Sequence, residues 1–123
     1  MRAVAFFALA VLLSATPALA AEAGDAAHGK SLYAQCRSCH TPEENSVGPK
    51  HCDVVGRKAA SLPDYQYSPA MRKSGLTWTP ENLDRFLQKP AAFVPGNYMP
   101  FAGIAKAKDR ADIIAYLATL RCP

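Results

Sequence analysis

The chain has 123 residues, 14 of them basic and 10 acidic, for a net charge of +4 at pH 7. That length allows one small domain with a thin core, where a bound group or a disulfide adds most stability. The mild positive charge permits steering toward an acidic partner, but the dense basic stripe and motif of a nucleic-acid binder are missing.

Met1-Arg2 supplies a positive start, and Ala3 to Leu13 is an apolar run too short to span a bilayer comfortably. Ala18-Leu19-Ala20 follows as an A-x-A cleavage site. Residues 1–20 are therefore expected to be a cleaved signal peptide, and residues 21–123 a single exported domain in the periplasm with no stable membrane insertion. The bland alternative is an uncleaved membrane anchor.

No repeat or low-complexity segment follows, and no stretch alternates apolar and polar residues long enough for a sheet. The first helix is expected to begin at Asp25, a good N-cap, and to run into a cysteine motif. Gly29 and Tyr33 share one face, with Cys36 a turn further. A glycine inside a helix costs about 1 kcal/mol relative to alanine, so close approach of another helix is the compensating gain. The bland reading of Gly29 is a late helix start.

Cys36-Arg37-Ser38-Cys39-His40 reads C-x-x-C-H, the attachment pattern of a c-type haem. The two thiols each bond one vinyl group, and the histidine is carried under the ring as an iron ligand. A redox dithiol has no need of the histidine and expects a thioredoxin-like βαβ setting. A zinc site wants a second ligand pair at short spacing, and none follows.

Glycine and proline punctuate the middle of the chain from Gly48 to Gly103. A short helical turn is expected from Pro69 to Lys73, ended by Gly75. Thr79-Pro80-Glu81 combines an N-cap, a proline at the first helical position and an acidic first turn. Leu83, Phe86 and Leu87 form the apolar face of that helix, which Pro90 stops. The last helix is expected from about Lys106 to Leu120, with Ile113, Tyr116, Leu117 and Leu120 on its apolar face. Asp109 and Asp112 lie early and Arg121 late, as the helix dipole prefers. Ala111, Ala115 and Ala118 are small enough to let the first helix pack closely. The architecture is all-α, with two crossed terminal helices, short helices and loops around one haem.

A six-coordinate iron needs a second ligand from far along the chain. The candidates are Met71, Met99, His28 and His51. Met71 sits in a short helical piece, where methionine more often packs. His28 is too near the attachment site to reach the other haem face. His51 follows a Gly-Pro turn on the His40 side. Met99, in a proline-flanked loop with no amphipathic period, is assigned by loop setting and elimination.

From Gly24 to Leu120 the chain resembles a class I c-type cytochrome, close to the bacterial relatives of mitochondrial cytochrome c. The resemblance rests on Cys36 to His40, Val47-Gly48-Pro49, Val54-Val55-Gly56-Arg57, Gly75-Leu76-Thr77-Trp78, and the run from Pro95 through Met99 and Phe101 to Ile104. It implies the small cytochrome c fold. It further implies that the Pro49 carbonyl accepts the other ring N–H of His40 and fixes its tautomer. Arg57, Tyr67 and Trp78 match residues that hydrogen-bond or neutralise the haem propionates, and Phe101 the aromatic that shields the haem edge. Packing alone is the bland reading of Tyr67 and Trp78.

The departures are informative. Phe86 stands where mitochondrial relatives carry a tyrosine whose hydroxyl approaches the methionine sulfur, and Met71 where an asparagine often helps hold a water. Both changes make the pocket less polar and are expected to raise the reduction potential. The family's partner-binding lysines map to Gln35, Ala91, Ala92 and Tyr98, with Lys106 a survivor. A more apolar partner surface around Tyr98, Phe101 and Ala102 is the consequence.

Cys52 and Cys122 lie outside the haem motif. A disulfide, two free thiols, or a metal site with His51 are the open readings of the residues themselves. The resemblance brings Cys52 near the end of the last helix, and export favours a Cys52–Cys122 bond.

The resemblance thus implies a soluble periplasmic electron carrier with one covalent haem c, His40 and Met99 as axial ligands, and no enzymatic activity. It works as a monomer with redox partner proteins, and the residues name neither donor nor acceptor. The alternatives are a dedicated electron-transfer subunit of a dehydrogenase or reductase complex, and a haem protein whose iron opens to peroxide or gas ligands.

Overall fold

The computed structural model describes residues 23–123, and the expected leader over residues 1–20 lies outside them. Five α-helices form among the described residues: α1 (Ala26–Leu32), α2 (Pro69–Lys73), α3 (Pro80–Gln88), α4 (Pro90–Phe93) and α5 (Ala107–Leu117). A 3₁₀ turn, Tyr33–Gln35, continues α1 toward the cysteine motif, so the α-helix itself stops one turn short of it. Among the described residues, strand pairing is limited to one isolated bridge between Lys58 and Thr77. The fold is all-α.

The helix starts follow local chemistry. The Asp25 carboxylate accepts the N–H groups of Ala27 and His28 at 2.9 and 3.1 Å. Ser68 and Thr79 accept those of Met71 and Asn82, and each is followed by a proline whose missing N–H needs no partner. Each cap is worth about 1 kcal/mol. Lys89 is extended (φ −160°) because the residue before a proline is pushed out of the helical region, so Pro90 ends α3 and also begins α4.

The last helix is shorter than the periodicity predicts, ending at Leu117 rather than Leu120. The N–H groups of Thr119 and Leu120 turn back to Tyr116 and Leu117 in tighter bonds, and the Thr119 hydroxyl donates to the Tyr116 carbonyl at 2.6 Å. The tail is then drawn off the helix axis. Asp53 N–H donates to the Leu120 carbonyl at 2.9 Å, and Cys122 N–H donates to the Asp53 carboxylate at 3.1 Å.

Helices α1 and α5 pack directly on each other. A Cβ at Gly29 would collide with the backbone carbonyl of Asp112, so glycine is required for this approach. The small residues of α5 that meet the N-terminal segment are Ala111 and Ala115, which lie against Gly24. Ala118 is exposed and takes no part, contrary to expectation, because the helix has already ended. Asp112 is fully buried at this crossing. It accepts the Asp25 N–H at 2.7 Å and the Lys108 ammonium at 2.6 Å, and shares a hydrogen bond with His28 Nδ1 at 2.7 Å. Lys108 foremost, then His28 and the Asp25 N–H, hold its carboxyl well below the usual carboxylate range.

The core is built from Tyr33, Leu83, Phe86, Leu87, Ile113 and Leu117, closed by Trp78, Val94 and Ile104. Arg110 is buried with its charge paired. Its Nε donates to Asp84 at 2.7 Å and its Nη1 to the carbonyls of Ile104 and Ala105 at 2.8 and 2.9 Å, which ties α5 to α3 and to the segment before it. One face of this core is the wall of a cavity.

Candidate functional site

That cavity has a volume of about 710 Å³, within the range of roughly 300–1,000 Å³ typical of small-molecule and cofactor sites. Nine of the residues singled out in the sequence line it: Cys36, Cys39, His40, Pro49, Arg57, Tyr67, Trp78, Met99 and Phe101. Met71 and Phe86 line it too, so the two apolar departures do face the same space.

The cysteine motif is carried on a coil of consecutive turns. The N–H groups of Cys39 and His40 both donate to the Cys36 carbonyl, at 3.1 and 2.9 Å. Cys36 and Cys39 are half-buried with free thiols. Burial pushes the Cys36 thiol up to about 11, so it is a neutral thiol.

His40 is buried, and its Nδ1 lies 2.7 Å from the Pro49 carbonyl oxygen. A carbonyl can only accept, so Nδ1 carries the proton and the neutral ring's lone pair is left on Nε2. Burial lowers the pKa of His40, against the opposing effect of the Pro49 bond. Gly48 makes this possible, because any Cβ there would collide with the His40 ring. The loop is closed by Gly48 N–H to the Cys39 carbonyl at 2.7 Å and His51 N–H to the Thr41 carbonyl at 3.0 Å.

Met99 is presented by a loop that Asn97 organises. The Asn97 carboxamide oxygen accepts the Met99 N–H at 2.7 Å, and its amide donates to the carbonyls of Pro90 and Val94 at 3.1 and 2.9 Å. Phe101 N–H then donates to the Met99 carbonyl. Asn97 was not singled out in the sequence. Its place two residues before Met99, after a Pro-Gly pair, is the available signal, since asparagine side chains commonly close such turns.

Arg57 reaches the cavity wall from a turn where its guanidinium donates to the carbonyls of Lys50 and Cys52 at 2.9 and 3.0 Å. Burial lowers its pKa, yet a guanidinium has five donors and these bonds use two of them. Trp78 packs on Phe86, ring centroids 4.9 Å apart, and Tyr67 on Tyr65 at 4.8 Å. Burial raises the pKa of Tyr67, so its phenol is a donor at neutral pH.

Cys52 and Cys122 are outside the cavity and are joined, with Sγ–Sγ 1.99 Å and Cα–Cα 4.9 Å. A ring missed as a site residue also faces the cavity. His51 stacks on His40 and bonds to the fully buried Tyr33. Burial foremost, with His40 and Arg57 adding, lowers its pKa well below the usual value, so it is neutral.

These residues fit a covalently held haem. Two thiols, an imidazole with its tautomer set, a thioether and the polar side chains of Arg57, Tyr67 and Trp78 converge on one largely apolar cavity. The cavity mouth carries Val47 and Tyr98, 69% and 68% exposed, the two large hydrophobic residues most open to solvent among the described residues.

Comparison with known proteins points to one family. The cytochrome c family profile matches residues 26–121. The cytochrome c2 of Rhodomicrobium vannielii is 47% identical over 100 residues, spanning 79% of this chain and 80% of that one. The cytochrome c of Euglena viridis is 44% identical over 101 residues, spanning 80% and 99%. Among solved structures, cytochrome cH from Methylobacterium extorquens superposes with a TM-score of 0.77 at 47% identity, covering 78% of this chain and 99% of that one.

Proposed function

The chain belongs to the cytochrome c family, and on that premise we propose that it is a periplasmic carrier of single electrons, holding one haem c and catalysing no reaction of its own. The observation that carries the reading is the His40 ring, whose Nδ1–H is committed to the Pro49 carbonyl while its lone-pair nitrogen belongs to a cavity that Met99 also lines. When bound, haem c supplies an iron that alternates between two oxidation states one electron apart.

The chain's own residues do the rest. Cys36 and Cys39 would hold the porphyrin covalently, His40 Nε2 and the Met99 sulfur would bind its iron, and the Asn97 bonds keep the methionine in place. Arg57, Tyr67 and Trp78 supply the donors that buried propionates require. The apolar wall of Phe86, Met71 and Phe101 excludes water, which favours the less charged, reduced state. Electrons enter and leave at the cavity mouth, where Tyr98 and Val47 offer redox partners an apolar contact. The same exposed pair supports the second reading, a dedicated subunit that docks permanently in a dehydrogenase or reductase complex. Migration as a free monomer in size-exclusion chromatography would remove that reading.

The carrier reading is tested by carbon monoxide. The reduced protein at neutral pH is expected to keep its low-spin spectrum and to bind carbon monoxide slowly or not at all. Rapid binding would overturn the carrier reading in favour of a haem protein with an open iron position. Residues 1–20 act as the export signal in this reading, and N-terminal sequencing of the periplasmic protein should begin at Ala21.

A further inference from the structure

His51 is a half-buried ring at the cavity that the proposed carrier role leaves without a task. Its plane lies on that of His40, with centroids 4.0 Å apart and 18° between planes. The backbone holds it there from both sides. Its own N–H donates to the Thr41 carbonyl, the N–H of Cys52 donates to the Pro42 carbonyl, and Cys52 is bonded to Cys122. The side chain is held as well, since Tyr33 Oη lies 2.9 Å from His51 Nδ1. Tyr33 is fully buried, and His51 is the hydrogen-bond partner the structure gives its hydroxyl. A buried phenol must donate its proton, so Nδ1 accepts and His51 carries its own proton on Nε2.

We infer that His51 is a positioning residue for the electron-transfer site: steered by Tyr33, its ring sets the orientation of the His40 imidazole and favours the oxidised state. Two physical effects are involved. The Pro49 bond fixes one nitrogen of His40 but leaves the ring free to tilt about it, and a stacked plane removes that freedom. The face of an aromatic ring is also electron-rich, so it attracts the positive charge that an iron-bound imidazole shares when the protein is oxidised. An aliphatic side chain of similar bulk would fill the space without either effect. The inference rests on His40 being an iron ligand.

The haem-loaded protein tests it through three variants, His51→Leu, His51→Phe and Tyr33→Phe. The readouts are the reduction potential and the His40 ring-proton signals in the NMR spectrum of the oxidised protein. His51→Leu should favour the reduced form about threefold at fixed electrode potential, the scale of a ring–cation contact. That is a rise of about 28 mV at 59 mV per tenfold for one electron. His51→Phe keeps a ring face and should return the potential toward that of the parent. Tyr33→Phe should move the His40 signals, because it frees His51 to turn. A pure packing role predicts a lower Tm for His51→Leu with potential and signals unchanged, and that result would overturn the inference. If His51→Leu does not fold, unchanged signals in Tyr33→Phe, which keeps every ring, overturn it equally. Axial ligation is checked first on the parent protein by its optical and EPR spectra. A parent without histidine–methionine ligation sinks the underlying reading rather than this one.

Discussion

Removing the Cys52–Cys122 bond with the pair Cys52→Ala and Cys122→Ala should cost most of its stability through the unfolded state. The bond closes a loop with a sequence separation of 70, for which the chain-entropy relation gives about 4 kcal/mol at 25 °C. Residual structure in the unfolded chain lowers this figure. Truncating the buried Cys52 side chain leaves a small void that adds about 1 kcal/mol in the other direction. The expected loss is about 3–4 kcal/mol, read from urea unfolding of the haem-loaded protein. The unlinked chain should also expose more surface when unfolded, so the m-value should rise as the midpoint falls. A lower midpoint with an unchanged m-value would assign the loss to native packing instead. An unchanged midpoint, or two free thiols titrating in the unfolded and unreduced parent, would refute the reasoning outright.

Phe86→Tyr places a hydroxyl in the apolar wall shared with Met71 and Trp78 and should lower the reduction potential by about 20–60 mV, one ordinary hydrogen bond for one electron. A redox titration giving a higher potential than the parent would contradict this. For Asp112, a carboxyl held below its ordinary range contributes stability above the unfolded value of about 4 and loses it as pH falls through the lower folded value. Asp112→Asn should therefore be less stable than the parent at pH 7, with the gap narrowing below about pH 4. Urea midpoints that coincide at pH 7 would rule this out. Asn97→Ala removes three hydrogen bonds from the Met99 loop and should speed imidazole binding to the oxidised protein about tenfold, the equivalent of about one such bond. Stopped-flow rates equal to the parent's would exclude that role.

The features legible in the sequence are those that local rules determine. The motif from Cys36 to His40, the caps at Asp25 and Thr79 and the Gly29 approach all follow from residue type and spacing, and the caps and the glycine approach stand in the structure as read. What stayed hidden depends on contacts between distant segments. Asp112 reads as a helix-dipole residue, yet it is a fully buried clamp between α5 and α1, because its partners Asp25 and His28 arrive from the far end of the chain. The early end of α5 has the same cause, since nothing near Leu117 in sequence announces the pull of Asp53 on the tail. His51 was weighed as an iron ligand and set aside. Its stack on His40 becomes visible only when the Gly48–Pro49 turn folds back.

Those distant contacts do not restrain the two proposed iron ligands alike. His40 sits directly after Cys39, a proposed covalent anchor of the haem. Its ring is then fixed by the Pro49 carbonyl, the His51 plane and, through Cys52, the bond to the C-terminal tail. Met99 depends on a loop whose closure rests on the side chain of Asn97, with contributions of about 1 kcal/mol for each hydrogen bond. Local opening draws on the least stable contacts first, so any foreign ligand should enter by displacing Met99 while His40 stays bound. In Asn97→Ala with imidazole added, the His40 ring-proton signals should therefore persist as those of Met99 vanish. Loss of the His40 signals first would mean that the many contacts around that ring do not govern which ligand yields.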